Sequence, residues 1–117
     1  MTDITETKSA KLARFVVNTT YDDLPRPIAE KAVRSILDSI GAGIAGAIAP
    51  EPQLLLKTLR EAGEGEGRAS LWGAGETVSP LNAALINGTA SHAFELDDTG
   101  GCDHSGAVVV PAAVAAA

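Results

Sequence analysis

The chain has 117 residues, about the length of one small domain, with 45% apolar and only 3% aromatic residues. Charged residues make up 21% and the net charge is −6, which argues against wholesale disorder and against DNA or RNA as a partner, because phosphate neutralisation needs clustered cations. The single cysteine, Cys102, excludes an intrachain disulfide and a zinc ribbon.

The start, Met1 to Lys8, is polar and lacks the basic-then-apolar order of a signal peptide. From Thr5 to Val17, Leu12, Phe15, Val16 and Thr19 recur at three-to-four spacing and predict an amphipathic helix. Asn18 to Asp23 reads as a break, and Leu24-Pro25-Arg26-Pro27 as an extended turn. Pro27 suits a first helical turn, where its missing N–H is no loss. The strongest helix pattern follows, from Pro27 to about Ala47. Ile28, Ala32, Ile36, Ile40 and Ile44 repeat every four residues, and Val33 and Leu37 widen the stripe. Gly41, Gly43 and Gly46 each cost roughly 1 kcal/mol of helix propensity against Ala, which predicts close contact with a neighbouring helix there. The stretch from Ile36 to Ala49 holds Asp38 and is too short to span a bilayer. A soluble cytoplasmic protein with no membrane partner is expected.

Pro50 and Pro52 end that helix and start another, to about Arg60, with Leu54, Leu55, Leu56 and Leu59. Gly63-Glu-Gly-Glu-Gly67 is an acidic turn that fits neither a dinucleotide fingerprint nor a P-loop. Ala69 to Gly73 reads as a short extended piece. Ser79 as N-cap and Pro80 at the first position open a helix to about Phe94. Asp97 to Ser105 is a loop, and a last helix begins near Gly106 and runs into Ala115-Ala116-Ala117 without a cap. The chain is therefore expected to stop inside an element.

Charge is unevenly placed. All nine Lys and Arg fall before residue 69, whereas Glu76, Glu95, Asp97, Asp98 and Asp103 follow with no cation among them. The window Asn87 to Pro111 concentrates chemistry: both histidines, His92 and His104, four acids and the cysteine. Groups that titrate near neutrality beside groups that orient them suit proton transfer. His104 precedes a helix start, where its protonation is tunable. His92, with Ala90 and Ala93 beside it, reads as a packed histidine bonded to a neighbouring turn. Asp97-Asp98 reads as a metal pair, a turn or a hydrogen-bonding brace. The spacing matches no known metal motif and mixes hard with soft ligands, so no metal is assigned. Nearby acids would raise the Cys102 pKa and blunt it as a nucleophile.

In this window Ala83-Ala-Leu-Ile-Asn-Gly88, His92-Ala-Phe-Glu-Leu-Asp-Asp98-Thr99, His104-Ser-Gly106 and Pro111-Ala-Ala113 resemble the N-terminal signature of the MmgE/PrpD family. Upstream, Leu24-Pro25, Leu37-Asp38-Ser-Ile-Gly41 and Ala45-Gly46 resemble its second helix, and Leu71-Trp-Gly73 its short link. The resemblance runs from about residue 10 to 117 and includes 2-methylcitrate dehydratase, cis-aconitate decarboxylase and iminodisuccinate epimerase as family members. It implies an all-α fold: residues 1–117 would be a partial helical domain, the N-terminal segment of a longer two-domain enzyme, with helices joined by short loops. It implies a homodimer without organic cofactor, acting on a small di- or tricarboxylate. It places an active-site acid at Glu95, a threonine at Thr99 and a histidine at His104, supported by Asp97 and Asp98. A lysine and a second histidine would lie beyond Ala117.

The first acid of the pattern is usually Asp and here is Glu95, the loop from Thr99 to His104 is shorter than in the decarboxylases, and Ser rather than Pro follows His104. A 2-methylcitrate dehydratase-like lyase is the first expectation. Epimerase-like or decarboxylase-like activity, or a non-catalytic truncated helical module, are the alternatives.

Overall fold

The computed structural model describes residues 7–98 and 103–117. Five α-helices and one two-stranded pair are present among them: α1 Lys8–Asn18, α2 Arg26–Gly46, α3 Pro50–Glu61, β1 Ala69–Ser70, β2 Thr77–Val78, α4 Pro80–His92 and α5 Ser105–Ala116. The all-α expectation holds. Among the described residues no single helix is long and apolar enough to cross a membrane. The chain divides into two compact units within α2, between Ala32 and Val33.

The first unit is held by local bonds. The Thr7 side chain accepts from the Ala10 N–H at 3.2 Å and caps α1. Thr20 gives its backbone N–H and its hydroxyl to the Asp23 carboxylate at 2.8 and 2.7 Å. These two bonds, the backbone one first, hold the Asp23 carboxyl below its ordinary value. Arg26 pairs with Glu30 across one turn at the start of α2, on the exposed surface. No residue of α1 is buried: Leu12, Phe15, Val16 and Val17 are all exposed.

The second unit is held by contacts distant in sequence. The four-residue isoleucine repeat is not the face of α2 that packs: Ile36 and Ile44 are exposed, whereas Ser39, Ala42, Gly43 and Gly46 are buried. The reason is distance. Side chains of one carbon or none let α2 lie directly on α4, and a Cβ on Gly46 would overlap the Ala90 backbone. A Cβ on Gly43 would meet the Trp72 ring and the Ser91 hydroxyl, while Gly41 faces open space, so two of the three glycines serve the predicted close contact. The buried Ser91 hydroxyl lies 3.1 Å from the Ser39 carbonyl of α2 and 2.8 Å from the Asn87 carbonyl in its own helix.

Leu71, Val78, Ala83 and Ile86 form the core, with Leu55, Leu56 and Leu59 of α3 against it. The extended piece at Ala69 has a partner that the sequence did not announce: β1 and β2 pair antiparallel, Ala69 opposite Val78 and Ser70 opposite Thr77. Asn87 of α4 fixes that pair to the helix. Its amide donates to the Ser70 carbonyl at 3.0 Å and accepts from the Trp72 N–H at 2.9 Å. Ser79 caps α4 as expected, accepting from the Asn82 N–H at 3.3 Å. α4 and α5 pack through small residues, with Gly88 against the Ala107 carbonyl and Pro111 buried beside it. Leu81, Leu85, Val108 and Val109 of these helices remain exposed.

Candidate active site

The end of α4, the turn after it and the start of α5 converge on one buried carboxylate. His92 is the last residue of α4 and His104 immediately precedes α5. Between them the chain turns sharply: the Glu95 N–H donates to the His92 carbonyl at 3.0 Å, and Glu95 has φ +54°. A left-handed glutamate is strained, and such backbone persists only where neighbouring contacts hold it. The turn delivers the Asp97 side chain, 0% exposed, between the two imidazoles. Its Oδ1 is 3.2 Å from His92 Nδ1 and its Oδ2 is 3.1 Å from His104 Nδ1. The ring centroids are 4.3 Å apart with the planes at 66°.

An ionised carboxylate only accepts hydrogen bonds. Each imidazole therefore presents Nδ1–H to Asp97, and the two donors compensate a buried charge that would otherwise be costly. In a neutral ring this fixes the tautomer and places the lone pair on Nε2. Both Nε2 atoms face Glu95, whose Oε1 is 3.4 Å from His92 Nε2 and whose Oε2 is 3.8 Å from His104 Nε2. Asp98 turns the other way. Its Oδ1 accepts the Gly106 N–H at 2.7 Å, an anion on the positive end of α5. A Cβ at residue 106 would collide with that carboxylate and with the Ser39 hydroxyl, so glycine lets α5 start where His104 reaches Asp97.

His92, Glu95 and His104 open on a cleft of about 700 Å3, walled by Leu85, Gly88 and Thr89 of α4 and by Ala107 and Val108 of α5. Glu51 of α3 adds a further acid, and neither Lys nor Arg is among the lining residues. The cleft thus pairs a floor of two imidazoles and a carboxylate with apolar walls and a further acid at its edge.

The sequence-predicted residues fall as follows. His104, Glu95 and Asp97 are together. Asp97 and Asp98 are not a metal pair: Asp97 braces both imidazoles and Asp98 caps α5. Thr99 and Cys102 lie outside the described residues. His92 does bond to the neighbouring turn, but it also lines the cleft beside His104, which the sequence reading did not assign. The signal was the composition itself: the chain's two histidines flank an acidic turn that joins two helices.

A family model for the MmgE/PrpD N-terminal domain matches residues 10–117. The chain belongs to the MmgE/PrpD family. The match includes both histidines, the acidic turn and every helix except the first two residues of α1. Among curated relatives, a cis-aconitate decarboxylase-like protein, oryM, of Aspergillus oryzae (strain ATCC 42149 / RIB 40) is 32% identical over 111 residues, 93% of this chain and 23% of that protein. A cis-aconitate decarboxylase of Aspergillus terreus (strain NIH 2624 / FGSC A1156) is 31% identical over 110 residues, 92% of this chain and 22% of that protein. The chain therefore spans less than a quarter of the length of these MmgE/PrpD relatives. No solved structure gives a significant match.

Proposed function

We propose that this chain is the N-terminal segment of a longer two-domain lyase of the MmgE/PrpD type, and that it contributes the proton-transfer half of a site for a di- or tricarboxylic acid. One observation carries the reading: a buried carboxylate holds two imidazoles by Nδ1 and turns both Nε2 atoms toward an open cleft. In a dehydration of the 2-methylcitrate kind, His104 Nε2 takes the proton from the carbon beside a carboxylate. As the carbon–oxygen bond breaks, the proton now held by His104 passes to the departing hydroxyl, which leaves as water and returns the imidazole to its starting state. The Glu95 carboxylate beside the Nε2 atoms stabilises the imidazolium that forms, and Thr99 supplies a hydroxyl to the developing negative charge. Asp97 and Asp98 are positioning residues, the first for both rings and the second for the helix that carries His104.

The cations that a polycarboxylate requires come, on this reading, from polypeptide outside these residues, since no Lys or Arg follows residue 68. The working enzyme is a homodimer without organic cofactor. A cis-aconitate decarboxylase-like reaction is the second reading, favoured by the names of the two Aspergillus relatives. There the same groups would place a proton on the carbon from which carbon dioxide departs.

The test uses the full-length protein with 2-methylcitrate and cis-aconitate as separate substrates. Turnover of the first supports dehydration and turnover of the second supports decarboxylation. His104→Ala should lower the active rate by at least about 100-fold. Turnover unaffected by that substitution removes His104 from the chemistry, and no turnover of either acid leaves the non-catalytic module as the better reading.

A further inference from the structure

We propose that His92, Glu95 and His104 also bind one divalent transition-metal ion, of the zinc or cobalt kind, and that its binding blocks the proton transfer assigned to His104. The blocking half rests on the function proposed above; the binding half does not. One ligand atom from each of the three residues lies within 4.8 Å of the other two. Two imidazole nitrogens and a carboxylate oxygen suit borderline metals, and three protein ligands leave positions open to the cleft.

Three features go beyond a chance cluster. First, both imidazoles are already oriented as metal ligands are. Each gives Nδ1–H to a carboxylate at 3.2 or 3.1 Å and points Nε2 outward, the outer-shell arrangement that fixes tautomer and raises ligand basicity. Second, both Nε2 atoms converge on the Glu95 carboxylate, at 3.4 and 3.8 Å, so that with neutral rings two lone pairs and an anion face one space that a cation would fill. Third, no Lys or Arg among the cleft-lining residues supplies that cation, while Glu51 adds to the negative field. Metal–ligand bonds of about 2.0–2.2 Å require the three atoms to draw slightly closer. The Glu95 side chain, 70% exposed, is free to make most of that movement. A bound ion occupies both Nε2 lone pairs, and neither ring can then accept a proton from carbon.

Cobalt(II) titration of the chelator-treated full-length protein reads the site directly through visible d–d absorption. The expected result is one ion per chain, with the band abolished in His92→Ala, abolished again in the less disruptive His92→Gln, and affinity about tenfold or more weaker in Glu95→Gln. Asp103→Asn, at an exposed neighbour, should leave the titration unchanged. Zinc should displace cobalt and suppress turnover, and chelator should restore it. Far-ultraviolet circular dichroism identifies any variant that has lost its helices, and the other two variants then decide. Absence of a saturable cobalt band in the folded parent, or a band indifferent to both His92 substitutions, overturns the site. Metal binding with no His104-dependent turnover would sink the proposed function and leave the site standing; His104-dependent turnover without metal binding does the reverse.

Discussion

Two stretches of this chain are built by opposite means. From Thr7 to Ala32, order comes from bonds spanning three or four residues: the Thr7 cap, the Thr20–Asp23 pair and the Arg26–Glu30 ion pair. The large apolar side chains of α1 stay exposed. From α4 into α5, order comes from groups far apart in sequence, and the buried side chains include Asn82, Asn87, Ser91 and Asp97. Exposed local bonds cost little to break, because water replaces the lost partner. Buried polar groups have no such substitute, and each ties its neighbours to one geometry. The proton transfer proposed here needs groups that cannot wander, and the buried carboxylate with its two imidazoles lies in the second stretch.

Three substitutions sharpen that contrast. Asp97→Asn should have the largest effect on turnover in the full-length protein, about 10- to 100-fold, because the amide no longer demands Nδ1–H from both rings. A shift in the pH profile of the remaining activity distinguishes this from a simple loss of structure. Gly46→Val should come next, lowering folding stability by about 1–3 kcal/mol in denaturant unfolding, since its side chain meets the Ala90 backbone. Unchanged stability would mean that α2 and α4 are not held in such close contact. Asp23→Asn should have the smallest effect, confined to the turn between α1 and α2. The folded Asp23 carboxyl titrates below its ordinary value of 3.8, so its contribution is present above that pH and fades as pH falls through the lowered value. Amide hydrogen exchange at Thr20 should speed up under acid in the parent and show no such dependence in Asp23→Asn. A global loss of protection there would contradict a purely local role.

Local signals made much of the fold legible. Ser79-Pro80 marked the start of α4 and the paired prolines marked α3, each within two residues of the observed boundary. The spacing of apolar residues found α1 and α2. It misjudged the buried face of α2, because periodicity reports where apolar side chains recur and not which side a neighbour approaches. The strand pair at Ala69 and Val78 is two residues long on each side, too short to leave an alternating pattern. At the site, His104 and Glu95 were found through the family signature. His92 was not, because its role depends on where a turn delivers Asp97.

By itself the sequence determined the helices, their caps, the family and the acidic, cation-free composition around two histidines, since all of these depend on residue type and near-neighbour spacing. Only the tertiary structure decided that α2 packs by its glycines and that one buried carboxylate serves two imidazoles. The first depends on the approach of two helices far apart along the chain, and the second on how one turn folds its carboxylate back between the helix ends it joins; residue spacing within a helix carries no record of either.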